Sequence, residues 1–360
     1  MIIRVCAFSD KGYLLADRIK DLLCSEIVEI KEKNSDADID SWIKYSFDNR
    51  LPILFIGASG IAVRKIAPYV NDKLKDSPVI VMDEKGQYVI PILSGHMGGA
   101  NDIARMIADR SGAVCVLTTG TDVEGLFAID TFAKNYGFAI TDRSKIVTVN
   151  SMILKGQELE LSYDEDSITV SGLKLTFKPY ILGVGCKKGI DASIIEKRVL
   201  EEIHNCDLCV DKYKYSLLAN NEGTADDRSL SMIIRDKFAA IASIDLKAKE
   251  YGLNLFAHRN GIKLMTFSKD ELNAVEGEFS QSAFVSEITG TDNVCERAAM
   301  AAAGAMKVNT IKVDNVDASA VAAGDGEIVL HKQGKDGVTV SIVKRKFDGA
   351  KWISDIYIRQ

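Results

Sequence analysis

The sequence predicts an α/β protein: an N-terminal α/β domain with a mostly parallel sheet, a small β-rich middle segment and a C-terminal α/β domain. Apolar runs of strand length alternate with helical patterns through the first part of the chain, which is typical of a parallel sheet covered by helices. Apolar and polar side chains then alternate at strand period over residues 145–177. The strand–helix alternation begins again at Tyr180.

A chain of 360 residues is too long for one ordinary hydrophobic core, so we expect more than one domain. The changes of pattern place the N-terminal α/β domain at residues 1–142 and the β-rich segment at 143–178. The C-terminal α/β domain then covers residues 179–347. Residues 348–360 form a C-terminal extension, which we predict to be a short strand.

Each element of the first domain is predicted from its own pattern. Apolar runs of strand length are residues 1–8, 51–56, 79–82 and 88–93, and the last two flank a loop of hairpin length. Helical spacing predicts four helices. The first runs from Asp10 to about Cys24 and the second covers residues 37–49. The third begins at an N-cap, Asn101 or Asp102, and the fourth ends near Tyr136-Gly137.

The C-terminal domain carries clear helix-start residues. Asp191 is a predicted N-cap, and Ser268 with Glu271 has the spacing of a capping box. The other predicted elements are strands at 180–185, 239–244 and 262–267, helices at 253–258 and 293–304, and a hairpin of 328–331 with 338–343.

Composition excludes several classes of function. Acidic residues outnumber basic ones by 51 to 45, a net charge of −6, which does not favour a nucleic-acid partner. No apolar run reaches the length of a membrane span, and the N-terminus lacks the pattern of a signal peptide. Seven cysteines at irregular spacings predict free thiols and therefore a cytoplasmic protein. A homo-oligomer stays open.

The most constrained stretch is a loop that follows the apolar run at residues 88–93. Three glycines within five residues allow positive φ angles and a close approach of the backbone to a ligand. A second short apolar run, residues 113–117, leads into another polar loop. In open α/β sheets ligands bind beyond the carboxyl ends of the strands. We therefore expect a site at one sheet edge built from Ser94, His96, Asn101, Thr118, Thr119, Thr121 and Asp122.

Two other glycine motifs have weaker implications. Gly57-x-x-Gly60 and Gly183-x-Gly185 can each cradle an anion at a helix N-terminus or simply form a tight turn. Neither completes the dinucleotide fingerprint G-x-G-x-x-G. In the second motif, Lys188 stands where the third glycine belongs. Asp245 and Lys247, which follow an apolar strand, are either a solvated strand end or part of a site.

No metal site is predicted. Cys206 and Cys209 have half of a zinc-site spacing, but no second pair lies at a matching distance. His96 is one of four histidines and lies in the most glycine-rich loop. A lone histidine is either structural or catalytic, and both interpretations remain open at this point.

Two motifs resemble a known family. Residues 90–101, with the sequence IPILSGHMGGAN, and residues 118–125, TTGTDVEG, closely resemble the N-terminal domain of cobalt-precorrin-5A hydrolases. Residues 183–189, 243–247 and 343–347 are similar to the C-terminal domain of that family. The resemblance covers nearly the whole chain in the same order, apart from segments near 205–230, 308–326 and after 347.

The resemblance implies a hydrolase of anaerobic cobalamin (vitamin B12) biosynthesis. Its substrate is a cobalt-containing corrinoid, a porphyrin-type macrocycle whose ring A δ-lactone is opened with release of acetaldehyde to give cobalt-precorrin-5B. Because the cobalt travels with the substrate, no cofactor is implied. Other enzymes of the pathway become candidate partners for hand-over of the product.

Lactone opening requires a base, an oriented nucleophile and donors to the oxyanion. We predict His96 as the base, the Gly98 and Gly99 amides as donors, and Ser94 or Asp122 as the orienting group. The predicted substrate-binding residues are Gly57, Ser59, Gly60, Gly95, Gly98, Gly99, Asn101, Thr118, Thr119, Thr121, Gly185, Lys187, Asp245 and Lys247. Two alternatives remain: a non-catalytic corrinoid carrier, and an unrelated anion-binding α/β enzyme.

Overall fold

The chain divides into two compact units, Met1–Thr131 and Phe132–Gln360. A computed structural model describes residues 1–33, 38–72, 75–96, 98–118, 127–206, 233–306, 311–312, 315–316 and 326–359. The boundary between the units falls inside the helix Ile129–Tyr136, whose residues up to Thr131 belong to unit 1. The finer division into four segments stays a prediction.

Unit 1 is a six-stranded sheet covered by helices. Its strand order is β2-β1-β3-β4-β5-β6, and all neighbouring strands are parallel except β4 and β5. This confirms the mostly parallel sheet and the predicted hairpin. The elements are β1 (Ile2–Ala7), α1 (Asp10–Leu22), β2 (Ile27–Ile30), α2 (Ile39–Asp48), β3 (Ile53–Ile56), α3 (Ser59–Ile66), β4 (Val79–Met82), β5 (Tyr88–Leu93), α4 (Ala100–Ser111) and β6 (Val114–Cys115).

The central strands β1, β3 and β4 are apolar on both faces because helices cover both faces. Side chains that alternate along each strand enter two separate cores. Helices α1 and α4 pack on one face and α2 and α3 on the other. Residues of the first core include Val5, Ile19, Leu54, Ile103 and Ile107, and residues of the second include Cys6, Trp42, Phe55, Ala62 and Ile66.

The antiparallel hairpin separates two loops that the sequence suggested as ligand sites. Ile56, at the end of β3, lies beside Met82, whereas Leu93, at the end of β5, lies beside Val79. The loop after Ile56 and the loop after Leu93 therefore leave opposite edges of the sheet. A strand rises about 3.3 Å per residue, so the four-residue β4 separates these edges by about 10 Å.

Unit 2 contains an antiparallel sheet, β7-β10-β9-β8, and a five-stranded mixed sheet, β13-β12-β11-β17-β16. In the mixed sheet β11, β12 and β13 are parallel, and the β16–β17 hairpin joins β11 in antiparallel pairing. The elements are α5 (Ile129–Tyr136), β7 (Phe138–Ile140), α6 (Ser144–Leu154), β8 (Leu161–Tyr163), β9 (Ser167–Val170), β10 (Leu173–Phe177), β11 (Tyr180–Cys186), α7 (Ala192–Asn205), β12 (Phe238–Ile244), α8 (Tyr251–Asn260), β13 (Lys263–Phe267), α9 (Lys269–Ala274), α10 (Ala283–Thr289), α11 (Cys295–Ala305), β14 (Ile311–Lys312), β15 (Asn315–Val316), β16 (Gly326–Lys335), β17 (Val338–Arg345) and α12 (Gly349–Arg359).

Several helix-start predictions are confirmed in unit 2. The Asp191 carboxylate accepts the Ser193 N–H at 2.8 Å, which caps α7. Ser268 and Glu271 form a complete capping box at the start of α9. Both caps satisfy N–H groups that a helix N-terminus otherwise leaves without an intrahelical partner.

Two predicted strands are wrong. Residues 145–153 belong to the helix α6, which buries Ile146, Val149 and Ile153 at helical spacing and leaves Val147 65% exposed. The two-residue spacing of Val147 and Val149 was mistaken for strand period. The C-terminal extension is also a helix, α12, because Trp352 and Ile356 repeat every four residues and are both buried.

Trp352 of α12 packs into an aromatic cluster of unit 2. Its ring centroid lies 5.0 Å from that of Tyr136 and 5.2 Å from that of Phe138, in edge-to-face geometry. Phe132 and Phe177 complete the cluster at 6.0 and 6.4 Å. Edge-to-face contacts at these distances add to the stabilisation from apolar burial. This contact explains why the extension folds back as a helix.

Arg345, at the end of β17, joins the C-termini of two helices in unit 2. Its guanidinium donates to the carbonyls of Tyr136 at 3.0 Å, Met306 at 2.9 Å and Lys178 at 3.2 Å, and it lies over the Phe177 ring. Helix C-termini carry partial negative charge, so a buried cation stabilises them. Arg345 therefore has a structural role.

The alanine-rich helix α11 lies directly on the mixed sheet. Its alanines are buried against β11, β12 and β17, where larger side chains would hold the helix away. Gly183 of β11 lies beneath the first turn of the helix. A Cβ atom on Gly183 would collide with the Cys295 carbonyl oxygen and come within 2.5 Å of Ser341 Oγ.

We predict that Gly183→Ala lowers the free energy of unfolding by about 1–3 kcal/mol, because the added methyl group must separate α11 from β11. Denaturant titration checks this. Gly334→Ala is the matched control, since Gly334 is exposed and a Cβ there meets only a side-chain methyl of Thr339, at 3.2 Å. Equal stability of the two variants would contradict the close packing of helix on strand.

Glu296 is a fully buried carboxylate at the start of α11. It accepts hydrogen bonds from the Ser280 N–H and hydroxyl, from Asn293 Nδ2 and from the Lys332 N–H, all at 2.7–2.8 Å. Burial alone would raise the pKa of Glu296, but the hydrogen bonds from the Lys332 and Ser280 backbone outweigh it. They hold the pKa below its ordinary value of 4.5.

A lowered pKa means that ionised Glu296 stabilises the fold above the unfolded value near 4.5, and that this contribution is lost as pH falls through the folded value. We expect Glu296→Gln to lower the free energy of unfolding by about 1–3 kcal/mol at pH 7, since one buried donor loses its acceptor. The difference between wild type and variant should shrink as pH falls below 4.5. Denaturant titrations across this range test it, and a difference independent of pH would contradict the role of the charge.

Candidate functional site

The loop after β5 begins at a strained residue. Ser94 has a φ of 56°, in the left-handed region, and its hydroxyl donates to the carbonyl of Asp76 at 3.0 Å. Asp76 in turn accepts the Asn71 and Asp72 N–H groups through its carboxylate, all at 3.1 Å. The Ser94 hydroxyl therefore anchors the start of the loop to the segment before β4. Its predicted role as the orienting group for His96 stays a prediction.

The loop closes on itself through three backbone hydrogen bonds of 3.1 Å. Gly99 N–H donates to the His96 carbonyl, Ala100 N–H to the Ser94 carbonyl and Asn101 N–H to the Gly95 carbonyl. These bonds occupy amides at the N-terminus of α4 that could otherwise hold an anion. Of the two amides predicted as oxyanion donors, Gly99 already serves the turn.

The predicted N-cap of α4 is corrected by the structure. The N-cap is Gly99 with a φ of 89°, and neither Asn101 nor Asp102 fills this position. Glycine adopts this left-handed conformation without the steric cost that a side chain adds. Asn101 instead lies inside the first turn and is buried.

Close packing also explains the other two glycines of the loop. A Cβ atom on Gly95 would lie 2.6 Å from Asn101 Oδ1, and one on Gly98 would lie 2.5 Å from Ser94 Cβ and 2.6 Å from the Ser94 carbonyl oxygen. Side chains do not fit at either position. The loop therefore requires its glycines in order to fold, whatever it binds.

His96 is held by a carboxylate that the sequence did not indicate. Its Nδ1 lies 3.3 Å from Asp130 Oδ2, and the two side chains are only 14% and 10% exposed. Asp130 lies 34 residues further along the chain, in the first turn of α5. An acidic residue in a first turn is a common helix-dipole partner, so no local pattern distinguished it.

The second polar loop follows β6, which runs beside the start of β5. β6 pairs in parallel with β5, and the Val116 N–H continues the pairing by donating to the Val89 carbonyl at 2.9 Å. Thr118, which is exposed, follows toward the same edge as Ser94. Thr119, Thr121 and Asp122 lie outside the described residues, so their predicted roles stay predictions.

The structure does not bring the Gly57 motif to His96. Gly57 has a φ of 148° and donates to the Met82 carbonyl at 2.9 Å, on the opposite edge of the sheet. Ser59 and Gly60 are exposed at the start of α3 on that same edge. Within unit 1 these three residues therefore form a separate surface.

The predicted residues of unit 2 gather at one edge of the mixed sheet. Gly185 lies near the end of β11, and Asp245 and Lys247 follow directly after its parallel neighbour β12. The Lys187 N–H donates to the Gly337 carbonyl of the β16–β17 turn at 2.8 Å. Within unit 2, the strand pairing therefore brings these four predicted residues to one edge of the sheet.

Glu250 was missed by the sequence reasoning. It is buried, and its carboxylate accepts the Gly189 N–H at 2.8 Å and pairs with Lys247 Nζ at 3.3 Å. Burial raises the pKa of the neighbouring Cys186 thiol to about 11, against the lowering effect of Lys247. A protonated thiol is a poor nucleophile, so Cys186 is unsuited to covalent catalysis.

Within the described part of the chain, no three His, Cys, Asp or Glu side chains are arranged to hold a metal ion. Cys206 is described and Cys209 is not, so the half-site at these positions stays untested. No helix of the described residues is long and apolar enough to cross a membrane.

Comparison with known proteins identifies the family. The profile called Cobalamin synthesis G N-terminal matches residues 41–122, which include the His96 loop. The profile called Cobalamin synthesis G C-terminus matches residues 180–343. The chain belongs to this family. The resemblance first seen in the motifs is thereby confirmed.

Two relatives within the cobalamin synthesis G family are similar over most of their length. The cobalt-precorrin-5A hydrolase of Salmonella typhimurium is 32% identical over 80% of this chain and 88% of its own. The cobalt-precorrin-5A hydrolase of Priestia megaterium is 26% identical over 74% of this chain and 76% of its own. The crystal structure of a cobalamin biosynthesis protein G homologue from Sulfolobus solfataricus is 19% identical, covers 96% of this chain and 97% of its own, and gives a TM-score of 0.35.

We predict that Gly98→Ala lowers turnover about 10²-fold, because the methyl group displaces the Ser94 backbone and a shift of about 1 Å at a reacting group has that effect. Acetaldehyde release from the cobalt-corrinoid measures turnover, and far-UV circular dichroism checks the fold. Wild-type turnover in a folded variant would mean that the loop only connects β5 to α4.

Proposed function

We propose that this chain hydrolyses cobalt-precorrin-5A, opening its ring A δ-lactone and releasing acetaldehyde to give cobalt-precorrin-5B. The observation that carries the proposal is the 32% identity to a named cobalt-precorrin-5A hydrolase over 80% of the chain. The His96 loop supports it, since this loop lies inside the N-terminal family match and pairs a histidine with a carboxylate.

We assign His96 as the general base that removes a proton from the attacking water. The hydroxide attacks the lactone carbonyl carbon, and the carbonyl oxygen becomes an oxyanion that a backbone N–H stabilises. Since the Gly99 amide is already engaged with the His96 carbonyl, the Gly98 amide is the better candidate donor. Collapse of the tetrahedral intermediate breaks the bond to the ring oxygen and leaves an alkoxide.

The alkoxide then releases acetaldehyde. Its oxygen forms the aldehyde carbonyl as the neighbouring carbon–carbon bond breaks, which is a retro-aldol cleavage. The electrons of that bond pass into the conjugated macrocycle, which takes up a proton. No oxidant or external cofactor enters these steps, and the cobalt is part of the substrate. That the enzyme needs no cofactor of its own is part of this proposal.

Substrate recognition requires groups that bind carboxylates, because the macrocycle carries several of them. Lys187 and the backbone around Gly185 are exposed or partly exposed at the edge of the mixed sheet and suit this role. The cytoplasmic location, the hand-over of product to other pathway enzymes and any homo-oligomer stay proposals. So do the substrate-binding roles of Asn101, Thr118 and Asp245.

His96→Ala should lower turnover by about 10²–10⁴-fold, the usual contribution of a positioned base. This corresponds to about 3–5 kcal/mol of transition-state stabilisation. Affinity for the corrinoid should change much less, since the base binds no carboxylate. Acetaldehyde release, corrinoid binding and thermal melting are measured on the same sample. His204→Ala, at an exposed histidine in the last turn of α7, is the matched control and should keep full turnover.

A folded His96→Ala protein with turnover within about 10-fold of wild type would remove His96 from the mechanism. A wild-type protein that binds the cobalt-corrinoid with a spectral shift but releases no acetaldehyde would instead support the carrier alternative. Tight binding of a sugar phosphate, and none of the corrinoid, would support an unrelated anion-binding enzyme.

A further inference from the structure

The contact between His96 and Asp130 has a consequence for the chemistry of the imidazole. We propose that Asp130 is a positioning residue, which holds the His96 ring with the proton on Nδ1 and the basic lone pair on Nε2. The proposal rests on the proposed function, because it assigns the atom through which His96 would act. It names a residue from outside the glycine loop and outside every motif of the sequence.

The tautomer follows from the donor capacity of the two groups. An ionised carboxylate accepts hydrogen bonds and donates none, so the atom facing Asp130 Oδ2 at 3.3 Å must carry the proton. A neutral imidazole has one N–H, which leaves the lone pair on Nε2. Burial strengthens this selection, since the side chains are only 14% and 10% exposed and the contact is weakly screened.

Both partners are carried on fixed backbone. On the side of His96, the carbonyl of the same residue accepts the Gly99 N–H, and Ser94 anchors the start of the loop to Asp76. On the side of Asp130, the preceding residue Ile129 is fully buried at the start of α5. The ring orientation is therefore determined by two folded segments, as preorganised catalysis requires.

Asp130 would also act during the reaction. When Nε2 takes a proton from water, the imidazole becomes a cation, and the buried carboxylate stabilises that cation. The same carboxylate therefore orients the base before the proton transfer and lowers the energy of the charged state after it. Hydrogen bonds between charged groups are about twice as strong as those between neutral ones.

The alternative is a purely structural contact that fastens the glycine loop to α5. In that case Asp130 affects stability, and turnover follows the folded fraction. The two roles differ in one respect. Both roles select the Nδ1–H tautomer, but only a positioning carboxylate makes the turnover of folded protein depend on Asp130 through His96.

The first experiment uses the substrate-free protein and does not depend on activity. ¹⁵N-labelled histidine NMR distinguishes protonated from unprotonated ring nitrogens, and the chain has four histidines. The His96 signals are assigned as those lost in His96→Ala. At a pH where the ring is neutral, the wild type should give the Nδ1–H tautomer. A mixture of tautomers, or Nε2–H, overturns the proposal.

The second experiment is kinetic. Asp130→Asn should lower kcat by about 10²–10⁴-fold and change KM much less, because the wrong tautomer removes the base without removing a binding group. Asp102→Asn is the matched control, an exposed acid in the first turn of α4, and should keep wild-type kinetics. In the His96→Ala background, Asp130→Asn should have an effect of less than about three-fold, since the two residues act as one unit.

The outcomes separate the inference from the proposed function. If the wild type releases no acetaldehyde, the proposed function fails, while the NMR measurement still tests the tautomer. If the wild type is active and Asp130→Asn lowers kcat equally with and without His96, Asp130 acts independently and the inference fails. If Asp130→Asn does not fold, the wild-type tautomer can still overturn the inference, because that measurement requires no Asp130 variant.

Discussion

The antiparallel pairing of β4 with β5 is the constraint on which the candidate site depends. It places Leu93 beside Val79, so the chain after β5 emerges next to Asp76 on the edge where β4 begins. There Ser94 donates to the Asp76 carbonyl and adopts its left-handed conformation. In an all-parallel sheet the same loop would leave the opposite edge, beside the Gly57 turn.

That constraint explains why the loop has the composition it has. The Asp76 anchor turns the chain sharply at Ser94, and three loop amides then bond back to loop carbonyls. Gly95 and Gly98 leave no room for a Cβ atom, and Gly99 holds a φ of 89°. The glycines therefore serve the fold of the turn, and His96 adds a part-buried side chain that can take up a proton.

The sequence predicted helices and strands more reliably than it predicted which side chains meet in the folded chain. Strands such as β3 and β11 were found because buried strands are continuous apolar runs, and the capping box at Ser268 because its spacing is local. Helix α6 was missed because Val147 and Val149 imitate strand period over a short window. The α12 helix was missed because its helical signal is a single four-residue repeat, Trp352 and Ile356, and the aromatic contacts that bury Trp352 are tertiary.

In the candidate site, too, local sequence patterns found the loop but not the side chain that contacts it. The loop containing His96 was predictable because its glycines and its position after a strand are properties of one segment. Asp130 was not, because it lies 34 residues away and only the folded chain brings its carboxylate to Nδ1. The predicted orienting groups were Ser94, which lies in the same loop, and Asp122, which lies outside the described residues. The Ser94 hydroxyl donates to the Asp76 carbonyl, in the segment before β4.

In unit 2, the contacts of Lys187 and Lys247 decide which of the two is the better candidate for binding substrate. Lys247 pairs with the buried Glu250, which also accepts the Gly189 N–H, so its charge helps to hold the strand edge together. A substrate carboxylate would have to compete with that buried contact.

The stem of Lys187 packs against the turn glycine Gly337, and Lys187 is exposed. A Cβ atom on Gly337 would lie 2.6 Å from Lys187 Cδ. Glycine at that turn makes room for the stem, and the ammonium group can then reach solvent. Lys187 is therefore the better candidate for binding a carboxylate of the macrocycle, and Lys247 the better candidate for holding the edge in shape.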